Sequence, residues 1–287
     1  MGTRRSRRNF PERTLNSVSA LRIHFSFVAA LAIPVIAQTP SEQSSQLPSQ
    51  AEPVQGVVMP VPREIFHSLD QFPDANWRAI QRPEVARWKS HGDQAQIATL
   101  LGVVIAEGFI ATEAQDSTEV KKTGNTVLKL AQGLGVEQSA LRRSRSIMDY
   151  ADKNEWAAAR KEWDGVLSDI EKGMIRIRSS DLSQLATLGG WLRGTEALCA
   201  LVLQDYSPEH AELIRQPALI DYLEKELLGM NTAMQKRPIV TKMLEGIRRI
   251  RALIQEQSGP PNEKTIKEIE EISKELVTLS SQRPRER

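Results

Sequence analysis

The chain has 287 residues, 40% hydrophobic and 26% charged, which supplies apolar material for one good core or two small ones. Its formal net charge of +2 is misleading: the first 37 residues hold six of the 38 basic residues and one of the 36 acidic ones, leaving 32 bases against 35 acids beyond them. A mildly acidic remainder has no bulk attraction for nucleic acid or anionic lipid, and the single cysteine, Cys199, excludes an internal disulfide.

Residues 1–37 read as a signal peptide. Arg4, Arg5, Arg7, Arg8, Arg13 and Arg22 precede the apolar run "FSFVAALAIPVIA", and Val35 and Ala37 are the small residues a signal peptidase prefers. The run is shorter than the roughly 20 residues a membrane-spanning helix needs, and no later segment reads as a span once the signal is cleaved. "SRRNF" resembles the start of a twin-arginine signal, but Pro11 and a long gap separate it from the apolar run, so it reads as a basic leader. The expectation is an exported protein, periplasmic or extracellular. Residues 38–60 are rich in Ser, Gln and Pro and read as a disordered tether.

From Val61 to residue 256 the patterning is helical, with no period-two stretch long enough for a strand. Pro62 opens a helix carrying Ile65, Leu69 and Phe72 on one stripe. A short segment follows around Trp77 and Ile80, then "RPEVARWKS" opens on Pro83. Asp93 caps "QAQIATLLGVVIAEGFIATEAQ", which is apolar all round from Leu100 to Ile110 and therefore reads as a buried helix. Another helix runs from Ser117 to a glycine stop in "QGLGV".

Val136 to Tyr150 and Asn154 to about Ile177, joined by "ADKN", read as an antiparallel hairpin. Trp156, Ala159, Trp163, Val166 and Ile170 line its buried face. With "NEWAAARKEW" this stretch of about forty residues resembles one unit of a tetratricopeptide-type repeat, which implies a packed helical hairpin. No second copy follows near the roughly 34-residue spacing of that family.

Asp181 is expected to cap the helix containing "LATLGGWLRGTEALCALVL". Pro208 and Pro217 split the next stretch into two short helices, and Pro238 starts another. "SGPPN" makes residues 257–262 a linker. Residues 263–280 form an amphipathic C-terminal helix with Ile266, Ile269, Ile272, Leu276 and Leu279 as its stripe, followed by a frayed tail, 281–287. The fold class is therefore all-α: a bundle of antiparallel helical hairpins with about nine to eleven helices, as one body or as two subdomains divided near Ser179.

Gly189, Gly190 and Gly194 cost about 1 kcal/mol each relative to alanine in a helix interior, so they need a reason. Close approach to another backbone supplies one, and the glycine-bearing helix with Gly102 and Gly108 is the natural partner. That pairing brings Glu107 to Arg193, two charges in surroundings too apolar for either to stand alone, and Glu196 lies three residues from Arg193 on the same face. Three readings follow. The pair fixes helix register, or Arg193, Glu107, Glu196 and Trp191 line a polar pocket in which Arg193 binds a carboxylate or phosphate and a glutamate, Glu113 included, positions the ligand, or Arg193 snorkels to water.

No catalytic constellation is evident. Glu64 and His67 in "EIFH" have Glu-x-x-His spacing, but a di-iron bundle needs two such pairs, and His91 and His210 complete no metal motif. Nucleophile, phosphate and dinucleotide motifs are missing, so no cofactor is called for. The chain reads as a binding or scaffold module with an unidentified protein partner; the alternatives are a ligand-binding bundle with the Arg/Glu pocket, or an exported enzyme, in which His67, His91 or His210 would meet a carboxylate within hydrogen-bond reach. The C-terminal helix docks either on the domain or on a second copy, and a homodimer through it would leave its apolar stripe exposed in the monomer.

Overall fold

The computed structural model describes residues 63–89 and 93–282. The signal peptide, the tether, the Glu64 side chain, His91 and residues 283–287 lie outside the described residues. Twelve α-helices are present among those described: α1 (Arg63–Leu69), α2 (Trp77–Ile80), α3 (Gln94–Glu113), α4 (Ser117–Gly133), α5 (Glu137–Asp152), α6 (Trp156–Arg176), α7 (Ser180–Gln204), α8 (Pro208–Glu212), α9 (Pro217–Gly229), α10 (Thr232–Gln235), α11 (Pro238–Gln255) and α12 (Glu263–Leu279). A 3-10 turn, Val85–Arg87, stands where "RPEVAR" suggested a helix. No strand occurs among the described residues, and the fold is an all-α multi-helix bundle. Nine helices have seven residues or more, while α2, α8 and α10 are single turns of four or five.

Side-chain pairings fix the helix directions. Arg143 of α5 meets Asp169 of α6, and Gly173 of α6 lies against Ser139 of α5, so α5 and α6 form the expected antiparallel hairpin. Leu167 and Glu171 of α6 meet Gly190 and Thr187 of α7 in the same antiparallel sense. Gly246 on Leu276 and Arg249 with Glu275 set α11 against α12. By contrast α3 and α7 run parallel: Thr99 faces Gly189, Gly102 faces Gly190, and Glu107 faces Arg193.

These two helices are the centre of the molecule. By length and composition α3 is apolar enough to cross a membrane, but its apolar window is wholly buried inside the bundle. Both are buried on nearly every side because neighbours surround them. One contiguous hydrophobic core runs from Ile65 to Val277, with no break near Ser179.

Two expectations at the helix ends need correction. Ser179, not Asp181, occupies the N-cap of α7, and its side chain makes no capping bond. Asp181 sits in the first turn and instead accepts hydrogen bonds from the Asn231 backbone and side-chain amides. On α12 the stripe Ile266, Ile269, Ile272 and Leu276 is buried within the chain itself, so it is not available as the surface of a dimer.

Candidate functional site

The sequence pointed to Glu107 and Arg193, and Gly102, Gly189 and Gly190 bring their helices together; Gly194 lies instead against Ile65 of α1, and Gly108 against Trp163 of α6. A methyl group on Gly102 would lie 2.7 Å from the Gly190 nitrogen and 2.8 Å from the Ala186 carbonyl carbon; one on Gly189 would lie 2.9 Å from the Thr99 carbonyl carbon. No real Cβ sits so close, so these positions set the interaxial distance. One to two turns further along both helices, Arg193 donates from Nε to Glu107 Oε2 at 2.8 Å and from Nη2 to the Ile80 carbonyl at 2.6 Å. Its Nη1 lies 3.7 Å from Glu196 Oε2.

Two partners were not anticipated. The Arg82 backbone N–H donates to Glu107 Oε1 at 2.6 Å, so both oxygens of Glu107 are engaged. The Arg82 guanidinium binds Glu196 at 3.1 Å, Glu84 at 3.0 Å and the Thr278 hydroxyl at 3.4 Å, and stacks over Trp88 at 5.1 Å. Arg82 precedes Pro83, which biases it to extended backbone and offers its amide and side chain to the interior. Nothing in residue type alone said which acid it would meet.

The network ties the α2 end, α3, α7 and α12 together. Arg193 and Glu107 are each 1% exposed, and Glu196 is 5%. Burial alone would depress the Arg193 pKa, but Glu107 and Glu196 outweigh it and hold the guanidinium charged more firmly than usual. Burial also raises the pKa of Glu270 on α12, with Glu196 adding to the effect and Arg193 opposing it. Each Arg193 nitrogen already faces a protein oxygen. An anion could bind there only by displacing these partners, so the geometry favours the register-fixing reading over the pocket.

Trp191 is not part of this network: its indole N–H donates to Gln216 Oε1 at 3.3 Å, the α9 side. Glu113 is apart as well, paired with Arg160 Nε at 2.5 Å beside Asp70. Burial raises its pKa and Arg160 partly restores it. His67 Nδ1 stands 3.8 Å from Asp70, beyond hydrogen-bond reach, and His210 Nδ1 lies 3.0 Å from the Asp205 carbonyl oxygen. Cys199 is buried and its thiol pKa is pushed well up by burial, then by Glu270 and Glu196, which disfavours the thiolate. Among the described residues no group of three or more His, Cys, Asp or Glu side chains is placed to hold a metal ion.

Another buried acid escaped the sequence reading. Glu171 extends the Leu167 stripe of α6, is buried against α7, and accepts a hydrogen bond from the Thr187 hydroxyl. Burial raises its pKa to about 7, with Thr187 and then Lys172 opposing the rise. Its place one turn after Leu167 on the buried face was the available signal. Surface grooves lie elsewhere: one of about 490 Å³ between α11 and α12, lined by Arg249, Leu253, Glu268, Ile272 and Glu275, and one of about 450 Å³ beside Lys274 and Gln282.

Compared with protein-family models, with curated protein sequences and with solved structures, the chain matches none of them.

Proposed function

We propose that this chain is an exported, soluble helical binding or scaffold module that acts through its surface. The observation that carries the reading is the closed network at the centre. Arg193, Glu107, Glu196 and Arg82 satisfy one another and the Ile80 carbonyl, as an architectural element does. A ligand site would leave at least one of these groups facing a vacant volume. Export, to the periplasm or outside the cell, rests on the leader "FSFVAALAIPVIA" and its arginines. Since the apolar stripe of α12 is used inside the chain, a second copy would dock on the outer Lys/Glu face of that helix.

Native mass spectrometry of the purified chain tests the reading. The expected result is the bare polypeptide mass, as monomer or dimer. Extra mass released on denaturation, from a small molecule or metal, would overturn the reading in favour of an enclosed ligand site.

A further inference from the structure

One end of the bundle differs from the rest of its surface. There α6 and α9 end and α7 and α11 begin, as the Asp181–Asn231, Arg176–Ser139 and Asp93–Arg237 contacts establish. Four large apolar residues stand out as exposed among the described residues, and three are at this end: Ile175 (44%), Ile177 (48%) and Leu228 (48%). Solvated isoleucine at a loop tip is neither core nor neutral surface, and here it alternates with charge in "IRIR", residues 175–178.

The charges are layered by depth. Lys172, Arg176, Arg178, Lys225, Lys236 and Arg237 are exposed, while Asp93, Glu137, Asp181 and Glu226 are half-buried beneath them. Asp93 is held by Arg237 and by the α3 cap, and Asp181 by Asn231. Arg178 has no ion-pair partner among the described residues. Its backbone is left-handed, φ 58°, and the Ser179 N–H returns to the Met174 carbonyl at 2.9 Å. This is the closed turn that usually takes glycine after a helix, so the tip is presented rigidly although its residue is arginine.

From this juxtaposition we propose that this end docks on an anionic lipid surface, with Ile175 and Ile177 entering the interface and Arg176, Arg178 and Lys172 meeting headgroup phosphates. The inference rests on the reading that the bundle acts through its surface. Apolar tips flanked by unpaired cations match a bilayer interface in both layers, apolar inside and anionic outside. The mildly acidic bulk charge does not oppose it, because screening limits each charge to about 8–10 Å at physiological salt and only the near layer counts.

The test uses the chain from Gln38 onward, as the expected signal cleavage leaves it, so that the basic, apolar leader cannot itself partition into the vesicles. Ile177→Cys and, at the opposite end, Glu209→Cys are labelled with an environment-sensitive dye and mixed with equimolar phosphatidylcholine–phosphatidylglycerol vesicles. The dye at position 177 is expected to shift to the blue, and the dye at 209 to stay unchanged. Neutralising two cations by Arg176→Gln with Arg178→Gln is expected to weaken partitioning about 30-fold, from roughly 1 kcal/mol per charge near such a surface. Ile175→Ser with Ile177→Ser is expected to weaken it also. All four side chains are exposed, and circular dichroism checks that the fold is kept. An unshifted dye at 177, or sedimentation unaffected by the paired substitutions, overturns the proposal and leaves the tip to a protein partner. If that happens while the native mass is bare, the surface-acting reading stands; a bound small molecule overturns that reading whatever the vesicles show.

Discussion

Replacing Gly189 by alanine and Gly190 by alanine separates helix propensity from helix packing in a single pair of adjacent residues. Both glycines are buried in α7, and either substitution should return up to about 1 kcal/mol of helix propensity. At Gly190 the new methyl meets the Gly102 carbonyl oxygen at 3.5 Å and Leu167 Cδ2 at 3.6 Å, ordinary contacts, so the gain is kept. At Gly189 it would lie 2.9 Å from the Thr99 carbonyl carbon and 3.3 Å from Thr99 Cα, closer still to the carbonyl oxygen. That carbonyl belongs to the backbone of α3 and cannot rotate away, so the helices must separate. Overpacking of this kind costs typically 1–3 kcal/mol and here involves two central helices, so the net loss is expected to be about 2 kcal/mol after the propensity gain. For a chain of this size about 2–4 °C of Tm accompanies each kcal/mol. Gly189→Ala should therefore melt about 4–8 °C below the parent, and Gly190→Ala slightly above it, in thermal denaturation followed by circular dichroism. Equal behaviour of the two variants, or a Gly189→Ala protein as stable as the parent, would refute the close-approach argument.

The remaining expectations concern the buried charges. Arg193→Met should cost about 3–5 kcal/mol, because Glu107 and the Ile80 carbonyl are left buried without their donor. Adding Glu107→Gln, which keeps an acceptor for the Arg82 N–H, should recover part of that loss, and additive losses in denaturant titrations would contradict the pairing. For Glu171 the folded pKa, about 7, lies above its ordinary value of 4.5, so the folded state binds the extra proton. Its contribution is fully present below about pH 4.5 and is lost as pH rises through about 7, a span of about 3 kcal/mol. Glu171→Gln should flatten the stability profile across that window and be more stable than the parent at pH 8; an unchanged profile would show that Glu171 does not titrate there.

Element type and order were legible because they depend on local patterning. The 3.6-residue spacing of Trp163, Val166 and Ile170, the prolines at 208, 217 and 238, and the all-round apolarity of α3 each act within a turn or two. The Glu107–Arg193 pair was legible for a related reason: an ionised group in an apolar helix must find an opposite charge, and few candidates existed. The glycines named the helix that would supply it. What only the tertiary structure decided were contacts set by register across long separations. Arg82 reaches Glu107, Glu196 and Thr278. Trp191 turns to Gln216, and the α12 stripe closes on its own chain. The exposure of Ile175 and Ile177 belongs with these, because a helix-end isoleucine is buried or solvated according to whether another element covers it. Local periodicity sets which face of a helix is apolar; only the packing of all the helices sets what that face meets.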